Sequence, residues 1–257
     1  MEQLIITTSL NPVNSQIEKA LELSQKFGFS YLERGKRNIK EITSDIPALV
    51  VTKNRLEVVF SDNRKLYFHP GMAKIRIKGI KKGQQDIMVK AMGLAPGMSL
   101  LDCTLGFAQD SLVAQYVLKN GRVVGIEKSK LIYVLVSEGL KTYSEDKDLI
   151  PAMRSIEVYP GDSKNYLSSF QPRSFDVVYF DYMFKKTTGK SAHILRLRNI
   201  AAMDYLEPGI LKKAREIARQ RVVVKGRKEE IMTLPYFSNI IAGNDSEIAF
   251  GIIEGSL

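Results

Sequence analysis

The sequence predicts a doubly wound α/β fold, and two observations carry that expectation. From about residue 86 onward, short apolar runs alternate with segments of helical spacing, and the chain closes on two β-rich runs around Gly243-Asn244-Asp245. Repeated strand–helix units imply a parallel sheet covered by helices on both faces. Apolar runs flanking a Gly-Asn-Asp turn read as an antiparallel hairpin at the end of that sheet.

The elements follow in order. Residues 4–8 are apolar and β-branched and predict a strand, and 16–27 carry Ile17, Ala20, Leu21 and Leu23 at helical spacing. A short strand at 30–32 and a short helix at 39–46 come next. Pro47 then opens a β-rich stretch with runs at 48–51, 56–60 and 65–68, punctuated by Lys53-Asn54 and Asp62-Asn63. Ile75, Ile77 and Ile80 nearly alternate with Lys74, Arg76, Lys78, Lys81 and Lys82. Residues 1–83 thus read as a small basic α/β domain, and residues 84–257 as a second, larger one. In the latter a helix at 86–92 ends at Gly93, and Pro96-Gly97 turns into a strand at 99–103. A helix at 111–118, a strand at 122–127 and a nearly all-apolar helix at 130–140 follow. Next come a strand at 155–159, a helix at 163–170 and a strand at 175–180 that runs into a basic loop. A helix at 208–219 feeds a strand at 221–225, and the hairpin is expected at 236–242 and 247–253.

Composition narrows the function classes. Hydrophobic residues make up 44% and charged residues 26%, values of a folded globular chain rather than a disordered one. The opening residues lack a basic n-region and have too short an apolar stretch for a signal peptide. No apolar run reaches bilayer length. One cysteine excludes an internal disulfide. A cytoplasmic protein is expected. The net charge is +10, and residues 1–85 hold 15 basic against 8 acidic side chains, so most of the excess lies in the first third. A concentrated basic surface suits a polyanion, because phosphates attract it and release counterions on binding. Solvated lysines are the plain alternative.

In a doubly wound sheet the ligand crevice opens at the carboxyl ends of the central strands, so chemistry is sought just after residues 103, 127, 159 and 180. The first such loop runs Asp102-Cys103-Thr104-Leu105-Gly106-Phe107-Ala108-Gln109-Asp110. Gly106 permits a sharp turn and a close ligand approach, and the next helix start offers free N–H groups. An ordinary strand–helix turn would look the same. Glu127 ends the next strand about twenty residues later, where a carboxylate can accept from both hydroxyls of a ribose. A local helix-start role is its alternative. Asp162, in Gly161-Asp162-Ser163, could bond an adenine amino group or simply cap the following helix. The fourth strand ends in Asp181-Tyr182-Met183-Phe184, an acid with an aromatic ring three residues on. Such a pair can hold an exocyclic amine and stack a planar base. His69 and His193 are far apart in sequence and form no ligand cluster, so no metal is expected.

These segments, with Gly125-Ile126-Glu127-Lys128-Ser129 and Lys190-Ser191-Ala192, resemble the bacterial 16S ribosomal RNA guanine-N2 methyltransferases of the RsmJ type, over roughly residues 84–228. The resemblance implies a Rossmann-like seven-stranded methyltransferase sheet, S-adenosylmethionine as methyl donor, and structured RNA as acceptor. It implies that Asp102, Gly106 and Asp110 line the methionine end of the cofactor, Glu127 the ribose and Asp162 the adenine side. Asp181 and Phe184 would be catalytic, gripping the acceptor base, with Tyr182, Met183, Lys190 and Ser191 on the substrate side. Lys74, Arg76, Lys78, Lys81, Lys82, Lys185, Lys186, Arg196 and Arg198 would meet RNA backbone. Two positions depart from the family: Ala108 stands where a glycine is usual, and Tyr182 where a proline is. A nicotinamide oxidoreductase shares the glycine loop and acid, but the missing further glycines and the terminal hairpin argue against it. A non-catalytic cofactor-binding RNA-binding protein, or a methyltransferase for another substrate, is the remaining alternative.

Overall fold

The structure is a computed structural model that describes residues 3–182, 207–244 and 246–255. The chain forms two compact units, residues 1–69 with 130–146, and residues 70–129 with 147–257.

The first unit is built on a five-stranded sheet of order β2-β1-β3-β4-β5, from β1 (Ile5–Thr8), β2 (Ser30–Tyr31), β3 (Ala48–Val51), β4 (Leu56–Val59) and β5 (Lys65–Leu66). The pairs of β1 with β2 and β3 are parallel, and the later pairs are antiparallel. Helix α1 (Asn14–Phe27) buries Gln16, Ala20, Leu23 and Phe27, one stripe at helical spacing. It stops at Gly28, whose left-handed φ of 66° supplies a C-cap that a β-carbon would strain. A short helix, α2 (Ile39–Ile42), is capped by Asn38. The later helix α6 (Lys130–Thr142) also belongs to this unit. Its buried Glu138 is bound by Lys19 at 2.9 Å and Lys26 at 2.5 Å, both on α1. Burial opposes ionisation of Glu138, but the two lysines outweigh it and hold the carboxyl below its ordinary value. At Gly139 an added β-carbon would lie 2.3 Å from Cγ of Phe68. Gly139→Ala is therefore expected to destabilise this unit by about 1–3 kcal/mol, the range for overpacking a filled core. Urea unfolding followed by circular dichroism would check it, and an unchanged midpoint would contradict the packing.

The second unit holds a seven-stranded sheet of order β11-β12-β10-β9-β6-β7-β8. Its strands are β6 (Ser99–Asp102), β7 (Arg122–Glu127), β8 (Ile156–Pro160), β9 (Phe175–Asp181), β10 (Ala218–Arg227), β11 (Asn239–Ala242) and β12 (Ile248–Glu254). The pairs among β6 to β10 are parallel, and β12 runs antiparallel to both β10 and β11. Helices α3 (Gly71–Lys81), α4 (Ile87–Met92), α5 (Gln109–Leu118), α7 (Ile150–Ser155), α8 (Ser163–Leu167), α9 (Pro208–Ile217) and α10 (Lys228–Ile231) complete it. One core cluster joins Leu101, Val124, Val178, Phe180 and Val222 of the sheet to Ile210, Leu211, Ala214 and Ile217 of α9. β6 is the strand from which the order departs both ways, toward β7 and β8 and toward β9 and β10, so the crevice falls at the carboxyl ends of β6 and β9.

The near-alternation at 74–82 is a helix and not a strand. In α3 the buried residues are Ala73 and Ile77, four apart, while Ile75 is 65% exposed. An Ile–Lys alternation over so few residues fits either period, and here packing on α5 decides. α7 and α10 were not evident in the sequence pattern. Among the described residues no helix is long and apolar enough to cross a membrane.

Candidate active site

The site grows from the end of β6. Asp102 is the last residue of the strand and is 1% exposed. Its Oδ1 accepts from the Thr104 N–H at 3.0 Å, and its Oδ2 accepts from the Ser111 hydroxyl at 2.6 Å. Burial pushes the carboxyl up to about 7. The Ser111 and Thr104 bonds oppose that shift, and the nearby charges of Asp110 and Asp181 add to it. The loop after β6 is tied down at every step. The Cys103 N–H donates to the carbonyl of Tyr179 on β9 at 2.9 Å, and the Leu105 N–H to that of Ile126 on β7 at 3.1 Å. The Thr104 hydroxyl oxygen accepts from the Asp181 N–H at 2.6 Å. Gly106 has φ 53°, and a β-carbon there would meet nothing nearer than the Thr104 carbonyl at 3.9 Å. Open space therefore lies beside this backbone. Ala108, the N-cap of α5, also has a left-handed φ of 56°. That conformation costs a residue with a β-carbon about 1–2 kcal/mol, which is the physical reason a glycine suits the position.

Glu127 ends β7 and is 6% exposed. One oxygen accepts from the Gly106 N–H at 2.8 Å and the other from the Ser129 N–H at 2.7 Å, so its carboxylate is oriented by two backbone donors. Asp162 is the N-cap of α8, accepting from the Lys164 N–H at 3.0 Å, and pairs with Lys128 at 2.8 Å. Partial burial works against its ionisation, but Lys128 outweighs that and keeps it below the ordinary aspartate value. The capping role weighed for it in the sequence is thus present. Asp102, Gly106, Asp110, Glu127, Asp162 and Asp181 all lie in this unit, at or just beyond the carboxyl ends of neighbouring strands.

The partners that hold Asp110 escaped the sequence reading. Asp110, on the first turn of α5, accepts from the Tyr179 hydroxyl at 2.7 Å and pairs with Lys225 of β10 at 2.9 Å and with Arg76 of α3. Burial pushes its pKa up, but Lys225 and Arg76 together outweigh that and hold the carboxyl below its ordinary value. Arg76 also forks onto both oxygens of Asp86, at 2.8 and 2.9 Å. Its guanidinium is thus engaged by two carboxylates and its side chain is 22% exposed, where a contact for RNA backbone was expected from the sequence. Lys225 reaches on to Asp181, at 2.8 Å. The only advance sign of these partners was a charged residue ending an apolar strand.

Tyr182 lays its ring on Phe180, centroids 5.4 Å apart and planes within 14°, and its N–H donates to the Lys225 carbonyl at 3.2 Å. Proline could not make that bond. Met183, Phe184, Lys190 and Ser191, with Lys185, Lys186, Arg196 and Arg198, lie outside the described residues.

Comparison with known proteins adds independent findings. A family model described as "Putative SAM-dependent methyltransferase" matches residues 34–236. The protein YpiP of Bacillus subtilis is 34% identical over 98% of this chain and 100% of its own. The ribosomal RNA small subunit methyltransferase J of Cellvibrio japonicus is 30% identical over 62% of each chain, and that of Pseudomonas fluorescens 30% over 68% of each. Among solved structures, a SAM-dependent methyltransferase of Neisseria gonorrhoeae superposes with a TM-score of 0.64 at 16% identity, covering 97% of this chain and 95% of its own. That likeness is one of fold.

Proposed function

The chain belongs to the SAM-dependent methyltransferase family, and we propose that its acceptor is an exocyclic amine of a base in structured RNA, with ribosomal RNA the leading candidate. The observation that carries this reading is the Asp181 carboxylate, placed at the end of β9 beside the crevice and bound by Lys225. Support for RNA comes from the basic excess of the first third and from the names of the methyltransferase J relatives. On α3 and at its C-cap, Lys78 and Lys82 are exposed, as are Met72 (60% exposed) and Ile75, side chains suited to backbone phosphate and base contacts.

The residues present suit S-adenosylmethionine, the family's cofactor. Its ammonium and ribose hydroxyls are donors, and the crevice offers acceptors in Asp102, Asp110 and Glu127 beside the open backbone at Gly106. In this reading Asp102, Gly106 and Asp110 hold the methionine end, Glu127 the ribose and Asp162 the adenine side. When bound, the cofactor supplies a methyl group activated by a sulfonium. Asp181 orients the acceptor amine and takes up its proton late in the step, and Phe184 stacks the base. Tyr182, Met183, Lys190 and Ser191 shape the acceptor side. Tyr182 is stacked on Phe180 and bonded through its N–H, which favours a rebuilt acceptor loop over a blocked one.

The test is labelled methyl transfer to total RNA from a strain lacking this gene, followed by nucleoside analysis. Label on a base amine supports the proposal, and cofactor binding without label would favour a non-catalytic RNA-binding protein. Glu127→Ala is expected to weaken S-adenosylmethionine by about 1–3 kcal/mol, the range for a charged hydrogen-bond acceptor. Titration calorimetry that finds unchanged affinity would contradict the ribose role.

A further inference from the structure

We propose that Lys225 is a positioning residue for methyl transfer: its ammonium holds the Asp181 carboxylate in place and ties it to Asp110 on α5. The proposal rests on the reading of Asp181 as the acceptor-side group.

Lys225 and Asp181 are register partners on the adjacent parallel strands β10 and β9. The ammonium sits between two carboxylates, 2.8 Å from Oδ2 of Asp181 and 2.9 Å from Oδ2 of Asp110. Its side chain is 23% exposed, so water screens these pairs less than it would at a surface. The backbone of the same residue contributes too, since its carbonyl accepts from the Tyr182 N–H. One strand position thus fixes two successive residues of the acceptor loop, Asp181 through the side chain and Tyr182 through the main chain. On the far side, Asp110 is held by the Tyr179 hydroxyl and by Arg76, itself forked onto Asp86.

The charges show what this ammonium does. Asp102 on β6, Asp110 on α5 and Asp181 on β9 crowd one crevice, with Asp86 behind Arg76. Lys225 from β10 and Arg76 from α3 pair with these carboxylates, and the Tyr179 hydroxyl is kept neutral by burial and by Asp110. Burial opposes the charge on Lys225, but Asp110 and Asp181 outweigh it, so the ammonium stays protonated well beyond neutral pH. Without it, Asp110 and Asp181 would repel, and Asp181 would take up a proton more readily. An amine that gains a methyl group must shed an N–H proton. A carboxylate already protonated can neither accept that proton nor orient the amine as an acceptor.

The test compares wild type, Lys225→Met and Lys225→Arg. The first readout is kcat against pH on RNA at saturating S-adenosylmethionine. The second is the carboxyl 13C titration of Asp181, its resonance assigned through Asp181→Asn. Lys225→Met is expected to lower kcat at neutral pH by about a hundredfold, within the range for lost proton-transfer catalysis, with cofactor affinity changed less than about fivefold. The acid limb of kcat and the Asp181 titration should both move to higher pH, and Lys225→Arg should largely restore both. A folded Lys225→Met with an unmoved Asp181 titration overturns the proposal. If that variant does not fold, Lys225→Gln, which keeps a donor but loses the charge, is read in the same way. A wild type that methylates no RNA overturns the proposed function, whereas the Asp181 titration decides the Lys225 coupling independently.

Discussion

Asp181→Ala is expected to lower kcat by about a hundredfold or more while leaving S-adenosylmethionine affinity within about threefold, the split produced by removing a group that acts on the acceptor. The structural basis is the place of Asp181 at the end of β9, its N–H fixed by Thr104 and its side chain by Lys225. The loss should appear in single-turnover rates, where product release cannot mask it. One complication is physical. The Asp181 charge helps to raise the pKa of Asp102, so its removal makes Asp102 easier to ionise. Affinities should therefore be compared above pH 8, where Asp102 is ionised in both proteins. Equal turnover by the two proteins on an RNA the wild type methylates would remove Asp181 from the acceptor role.

Cofactor affinity should fall as pH drops below about 7, approaching tenfold per unit, with the loss traced to Asp102. Burial, reinforced by Asp110 and Asp181, raises this carboxyl to about 7 in the free protein. A cationic ammonium bound there requires the ionised form, so below that value binding must expel a proton. Stability has the opposite sense. An aspartate in the unfolded chain ionises near 3.9. Between about pH 4 and 7 the native protein therefore holds a proton that the unfolded chain has released. Asp102 makes the fold progressively less stable as pH rises through this window, and the penalty is constant above it. Asp102→Asn should flatten both profiles between pH 5 and 8. Calorimetric binding and denaturant melts across that range would show it. A cofactor affinity as steep in Asp102→Asn as in wild type would assign the titration to another group.

Much of the scaffold is readable because its signals are local. The β7 run at 122–127 is apolar and β-branched, and it is the observed strand to the residue. The terminal hairpin announces itself by its turn, and the pairing of β11 with β12 follows. Once these strands are laid in parallel order, the crevice rule places Asp102, Glu127, Asp162 and Asp181 near one another without coordinates. Where two periods fit one short run, as at 74–82, the pattern was ambiguous, and the pairing of Ala73 with Ile77 as the buried face settled it as helix.

The run of strand–helix units thus determined by itself the fold class and the end of the sheet where a ligand crevice is expected, while the resemblance of the loop motifs to a methyltransferase family implied the cofactor. Only the tertiary structure decided which charges act together. Lys225 lies 44 residues from Asp181 and 115 from Asp110, and Arg76 lies 34 from Asp110. Their meeting depends on strand register and on where α3 packs, neither of which leaves a trace in nearby sequence. It also decided that α6 joins the first unit, through Glu138 and the lysines of α1. The physical reason is the range of the forces. Periodicity and turn chemistry act within a few residues, while an ion pair forms between whichever groups the finished core brings within about 4 Å.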